Sequence, residues 1–304
     1  QERGLEIFYQ YLIYFINGNY PIFRLAVWGS SLILIVFAAQ KFRVNVYHTL
    51  FIILAGYIIV FSYARATLAM AVLSVGLVLA SIASLYPFFK RFRSTLVAIL
   101  IIISSIYFHR SMLPIIFIAF GWIIMPWKRQ LSLYSLWLFP VLVAICSMIL
   151  NIAFEEVFLM ANTIDDKTGM LDKAEFYAEQ ETVETNVNGH IRLALHYSVF
   201  FVPFVIISIF FRSTQTVRML DNHIIWLYQA IYLLFVFATS FLFVDMDSNV
   251  LFYRYLYMTF IPLTILIVYL KDRRLLEKRH YLWMVTCFII SNLFQLFLFI
   301  YTEL

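Results

Sequence analysis

Charge is scarce in this sequence: Asp, Glu, Lys and Arg together make up only 13% of its 304 residues. A water-soluble domain carries about a quarter charged residues, because its exterior must be solvated. A soluble globular fold is therefore excluded. Cysteine is almost absent, and Cys146 and Cys287 both fall inside apolar runs. That excludes a disulfide framework, and both thiols read as buried bystanders. No HExxH occurs, so that metal-site signature is missing, and no metal or other cofactor is expected. No polar linker divides the chain, which reads as one transmembrane domain over residues 1–304. The first residue is Gln1 rather than Met, so an N-terminal piece is expected to precede it in the full protein.

What is abundant is apolar: 63% of the residues are hydrophobic and the mean hydropathy is +0.89. The apolar residues come in runs long enough to cross a hydrocarbon core of about 30 Å as helix. The expected fold is all-α and polytopic. About ten spans are predicted, over 21–40, 47–63, 66–87, 94–108, 111–127, 131–153, 193–211, 223–244, 253–270 and 281–301. The aromatic stretch from Leu5 to Phe15 is too short to span and suits an N-terminal interfacial helix. One hydrophilic insert, residues 154–190, separates two of the spans.

Charge sorts the loops. Alternate loops carry Lys41 and Arg43; Lys90, Arg91 and Arg93; Lys128 and Arg129; Arg212 and Arg218; and finally Lys271, Arg273, Arg274, Lys278 and Arg279. That is fourteen of the 22 Lys and Arg, and only Asp221, Asp272 and Glu277 accompany them. The positive-inside rule assigns these loops to the cytoplasm. The net charge of +5 thus reflects membrane topology rather than nucleic-acid binding. The acidic insert, with Glu155, Asp165, Asp172, Glu181 and Glu184 among its carboxylates, then lies outside.

On the outer side the basic residues at helix ends are arginines: Arg24, Arg65, Arg110, Arg192 and Arg254. A cation near the centre of a span costs roughly 2.5–3.5 kcal/mol, less near the interface. Snorkelling or ion pairing with Asp245, Asp247 or the insert would relieve that for any one of them. For the set, a shared anionic ligand is favoured, because the guanidinium fork grips phosphate with two parallel hydrogen bonds. A lipid-linked phosphate or pyrophosphate fits an apolar cavity reached from the outer leaflet. His109, His190 and His196 lie on the same side and can serve acid–base chemistry. His48, His223 and His280 fall at inner helix ends and read as bystanders.

At these residues the sequence resembles the EpsG-type family of bacterial polysaccharide polymerases, relatives of the Wzy O-antigen polymerases. The matching pieces are GLEIFYQYLIYF (4–15), Arg65-Ala-Thr-Leu-Ala, Phe108-His109-Arg110-Ser111, and Tyr253-Arg254-Tyr255-Leu256-Tyr257 leading to Pro262. Leu5 stands where the family commonly has tyrosine, and Ala66 where it has glutamine. The resemblance implies polymerisation of undecaprenyl-pyrophosphate-linked repeat units at the outer face of the bacterial inner membrane. It also implies work alongside a chain-length regulator and a flippase, within the lipid bilayer and without nucleic acid. Arg65, His109 and Arg254 carry over from the family's motifs, whereas Arg110 and Arg192 rest on the charge argument. Pyrophosphate would be held by Arg65 and Arg254 with Arg110 or Arg192. A general base is sought in His109, then His190, with Glu184 of the insert a further candidate. An O-antigen ligase and a flippase for lipid-linked glycans are the competing readings. A flippase should show polar residues through the whole membrane depth and an internal repeat, and neither is evident.

Overall fold

The structure, a computed structural model, describes residues 7–56, 64–109, 112–125, 128–163, 187–213, 217–218, 220–244 and 249–303. Among them are twelve α-helices and no strand. They are α1 (Ile7–Phe15), α2 (Tyr20–Lys41), α3 (Val46–Ala55), α4 (Ala64–Ala83), α5 (Phe88–Ser104) and α6 (Leu113–Ile124). The remainder are α7 (Lys128–Thr163), α8 (Val187–Phe211), α9 (Asn222–Ser240), α10 (Asn249–Met258), α11 (Phe260–Asp272) and α12 (Lys278–Glu303).

Local sequence explains where helices begin and stop. The Asn19 side chain accepts the Ile22 N–H at 3.2 Å and Pro21 occupies the first turn, so α2 starts there. Its end is a Schellman turn, in which the Val44 N–H reaches Ala39 O at 3.1 Å while Arg43 takes a left-handed φ of 58°. Asn45 then caps α3 through the His48 N–H at 3.1 Å. Proline decides another boundary. Pro262 cannot donate a hydrogen bond, and its ring crowds the carbonyl four residues back. The expected span over 253–270 is accordingly two helices, α10 and α11, meeting at Thr259.

Among the described residues, five helical stretches are long and apolar enough to cross a membrane: 20–41, 66–83, 130–153, 222–243 and 255–272. They sort into layers. The windows in 66–83, 222–243 and 255–272 are 89%, 94% and 89% buried, against 33% for 20–41 and 11% for 130–153. So α4, α9 and α11 form the interior, with α2 and α7 outside them. A helix that is apolar all round suits either a protein interior or lipid, so hydropathy alone does not separate the two layers. Ala, Ser and Gly recur along α4, which lets α2 and α5 approach its backbone closely. The buried hydroxyls are satisfied locally, Ser74 donating to Met70 O and Ser81 to Leu77 O, both at 2.7 Å.

The exterior is apolar as well. Ile33, Phe117, Trp137 and Met148 are each about two-thirds exposed or more. Patches of that kind are not tolerated on a water-facing monomer, and they fit a helical membrane protein.

The structure refines three of the expectations read in the sequence. Within the expected insert, residues 154–190, α7 continues to Thr163 and α8 begins at Val187, while 164–186 lie outside the described residues. Glu155 and Glu156 mark the loss of hydropathy, not the end of the helix, since no Pro or Gly follows them before Thr163. At about 1.5 Å per residue, the 36 residues of α7 reach about 54 Å, well beyond a hydrocarbon core. Second, α3 and α6, of 10 and 12 residues, lie within the expected spans 47–63 and 111–127, of which residues 57–63, 111 and 126–127 fall outside the described residues. Third, Cys146 and Cys287 are half-buried rather than buried, as free thiols. The bystander reading stands; their placement on the bundle periphery is the correction.

Candidate functional site

The residues singled out above fall on elements that meet at the end opposite the basic loops. Arg65 is the second residue of α4. From Ala66 to Val78 every residue of that helix is buried, so Arg65 stands where a fully interior helix opens. His109 follows a 3₁₀ turn at Ser105–Tyr107 that closes α5. Its N–H donates to Ser105 O at 3.1 Å and its carbonyl accepts the Met112 N–H at 3.0 Å. The imidazole is half-buried. Arg254 lies midway along α10, whose neighbouring side chains Tyr253 and Tyr255 are 8% and 4% exposed. His190, Arg192 and His196 belong to the first turns of α8. Arg110 and Glu184 lie outside the described residues, and for Arg65, His190, Arg192 and Arg254 the helix position is what is described.

Packing relates these elements. The Ser105–Tyr107 turn and α10 both pack against α4, and α10 also packs against α8. Aromatic rings make the latter joint: Tyr197 of α8 meets Phe252 of α10 with centroids 6.1 Å apart, and Phe200 meets Tyr257 at the same distance. The helices carrying Arg65, His109, Arg192 and Arg254 thus belong to one packed group.

The N-terminal helix closes over the same end. Tyr9 of α1 is fully buried and meets Phe23 at 5.6 Å, while Phe8 meets Phe108, the residue before His109, at 4.7 Å. Leu68 and Val72 of α4 complete this cluster. On the other face Tyr11, Tyr14 and Phe15 are 73–86% exposed, as an aromatic belt at a membrane interface would be. Arg24 is accounted for differently. Its guanidinium lies 4.5 Å from the Tyr20 ring centroid and 5.6 Å from that of Trp28, on the exposed flank of α2.

Beside α8 is a cavity of about 570 Å³ between α7, α8 and α9. Ser147, Asn151, Tyr197 and Thr239 supply polar groups to it. Its outer wall is apolar and open to lipid, with Met148 at 65%, Phe243 at 62% and Ile152 at 50% exposure. An apolar slot with a few polar groups, entered sideways, suits a long hydrocarbon chain bearing a polar head. Nothing in the periodicity of α7 marks it, because the slot exists only where three helices fail to close on one another.

Among the described residues no group of three or more His, Cys, Asp or Glu gathers in a metal-ligating cluster. Comparison with protein-family models, with characterised proteins and with solved structures finds no match.

Proposed function

We propose that this chain is a membrane glycosyltransferase of the polysaccharide-polymerase type. It joins undecaprenyl-pyrophosphate-linked repeat units at the outer face of a bacterial inner membrane, using ten spans with the basic loops in the cytoplasm. The observation that carries the reading is the packing of α4, α8, α10 and the turn before His109 into one group at the end away from the basic loops. Arginine on interior helices at that end is costly unless an anion is bound there, and the lipid-open cavity beside α8 offers a berth for an isoprenoid chain.

The chemistry follows from the ligand. A hydroxyl of the acceptor repeat unit attacks the anomeric carbon of the donor glycan. The new C–O bond forms as the bond to pyrophosphate breaks, and the lipid pyrophosphate leaves with the electron pair. Its developing charge is met by Arg65 and Arg254, with Arg110 or Arg192, so preorganised cations provide the principal stabilisation. The acceptor proton passes to a general base, for which His109 is the first candidate, then His190 or Glu184. A single displacement inverts the anomeric centre.

The test is direct. Purified protein in liposomes is given the cognate lipid-pyrophosphate oligosaccharide, and products are resolved by length. The wild type should produce a ladder. Arg65→Ala, His109→Ala and Arg254→Ala, at unchanged folding, should each lower turnover roughly 10²–10³-fold, as loss of an electrostatic donor does elsewhere. No ladder from verified substrate refutes the polymerase. Transfer to a different acceptor would then indicate a ligase, and translocation without a new bond a flippase.

A further inference from the structure

At the basic end the loops do more than face water. Lys41, Arg43, Lys90, Arg93 and Arg273, drawn from α2, α5 and α11 and the turns that follow α2 and α11, line one cavity of about 740 Å³. Asp221 is the only acid among its described lining residues. The two other described acids nearby are engaged elsewhere. Asp272 accepts the Asn45 N–H at 2.8 Å and lies within 4 Å of His48 and Lys271, while Glu277 pairs with Arg279. The excess of positive charge over the cavity is therefore not neutralised by these carboxylates.

A buried polar atom points the same way. His223, 8% exposed, packs edge-on against Phe42 and Tyr269, lines this cavity and leaves Nδ1 without a hydrogen-bond partner among the described residues. Buried polar nitrogens are rarely left so. In addition α5 and α9 begin here, Lys90 and His223 lying in their first turns, so two helix N-termini add their positive ends. Besides Gln40, Ser94 and Tyr86, the wall has an apolar side formed by Leu79, Ile82, Leu85 and Val97, and Leu85 and Val97 are about half exposed toward the bundle exterior.

We propose that this cavity binds the phosphate group of an anionic phospholipid of the leaflet facing the basic loops. Five cations meet the headgroup, and the Leu85–Val97 side receives the start of the acyl chains. Basic pockets between helices on the cytoplasmic side hold anionic headgroups in this way. The site is separate from the one proposed for glycan transfer, at the other end of the bundle. A soluble phosphate ester has the same recognition chemistry, so the experiment must distinguish the two sources.

The backbone supplies a matched pair of variants. Arg43 and Arg274 both adopt left-handed conformations, φ 58° and 57°, where glycine is the comfortable residue. Arg43→Gly and Arg274→Gly therefore each remove one charge without backbone strain, but only Arg43 lines the cavity. Melting temperature would be followed in detergent against short-chain phosphatidylglycerol, the phosphatidylcholine of equal chain length, and inorganic phosphate. Phosphatidylglycerol should raise the melting temperature saturably and phosphatidylcholine should not. Arg43→Gly should weaken that response about five-fold and Arg43→Gly/Arg273→Gln about thirty-fold, at roughly a fixed increment per cation. Arg274→Gly should respond as wild type. If inorganic phosphate shifts the wild type as strongly and Arg43→Gly loses that shift, the phosphate site stands and its natural ligand is soluble. Equal responses to both lipids, no response at all, or an equal loss in Arg274→Gly would overturn the proposal.

Discussion

Gly76 tests the close approach of α4 to α5 most sharply. A Cβ added there would lie 2.5 Å from Ile102 Cγ1, 3.2 Å from Ala98 O and 3.3 Å from Ile102 N. Carbon atoms rest at about 3.5–4.0 Å, so Ile102, only 2% exposed, must leave its position or α5 must shift by about 1 Å. Overpacking of this kind costs about 1–3 kcal/mol. Alanine in place of glycine favours a helix by about 1 kcal/mol, so Gly76→Ala alone should be neutral to destabilising by about 2 kcal/mol. Ile102→Ala removes the offending carbon. In that background Gly76→Ala should be more favourable than in the wild type by about 1 kcal/mol or more, because the worst overlap is gone and only the close backbone approaches at Ala98 O and the residue 102 N–H still oppose the helix preference. The difference between the two backgrounds, not either single value, is the prediction. Reversible unfolding in mixed micelles, followed by far-UV circular dichroism for all four proteins, measures the coupling energy. If Gly76→Ala has the same effect in both backgrounds, within about 0.5 kcal/mol, the close crossing of α4 and α5 described above is wrong.

Two further expectations concern the bundle. The Tyr228 hydroxyl, buried in α9, bridges the hydroxyls of Ser135 in α7 and Ser208 in α8 at 2.7 and 2.8 Å. Tyr228→Phe should cost about 1 kcal/mol, the scale of an interhelical hydrogen bond in a membrane, and Ser135→Ala should cost less in the Tyr228→Phe background than in the wild type when unfolding is measured in the same micelles. Topology can be read by labelling a protein whose Cys146 and Cys287 have been replaced by serine. A single cysteine introduced as Thr168→Cys should react with a membrane-impermeant maleimide in intact cells, whereas Arg274→Cys should react only after lysis; the opposite pattern would invert the orientation.

Much of this protein is legible in its sequence because membrane insertion is a local, compositional matter. Apolar runs, their lengths and the sign of the charges between them require no knowledge of which helix touches which. The helical class and the positions of most helices followed from that. Boundaries were less legible where hydropathy and helicity diverge. Glu155 ends an apolar run yet sits within α7, and Pro262 divides one apolar run into α10 and α11.

The site illustrates the same division. Arginines at the ends of apolar runs stand out in the sequence by their cost in lipid, so Arg65 and Arg254 could be named before any contact was known, although Arg254 lies midway along α10 rather than at a helix end. That α4 and α10 pack together, and that α4 lies inside while the equally apolar α7 lies outside, depends on side-chain shape. In a bilayer the surroundings are as apolar as the core, so hydrophobicity cannot choose which helix is buried, and close packing of small residues decides. The basic cavity was hidden for a related reason. Its cations come from residues 41 to 273 and looked like ordinary loop charge, and His223 looked like a bystander. Composition set the class of protein and the sense of its charges, because solvation acts on each segment separately. Only the tertiary structure assembled the two ends, because convergence is a property of helices packed together and of no single stretch of chain.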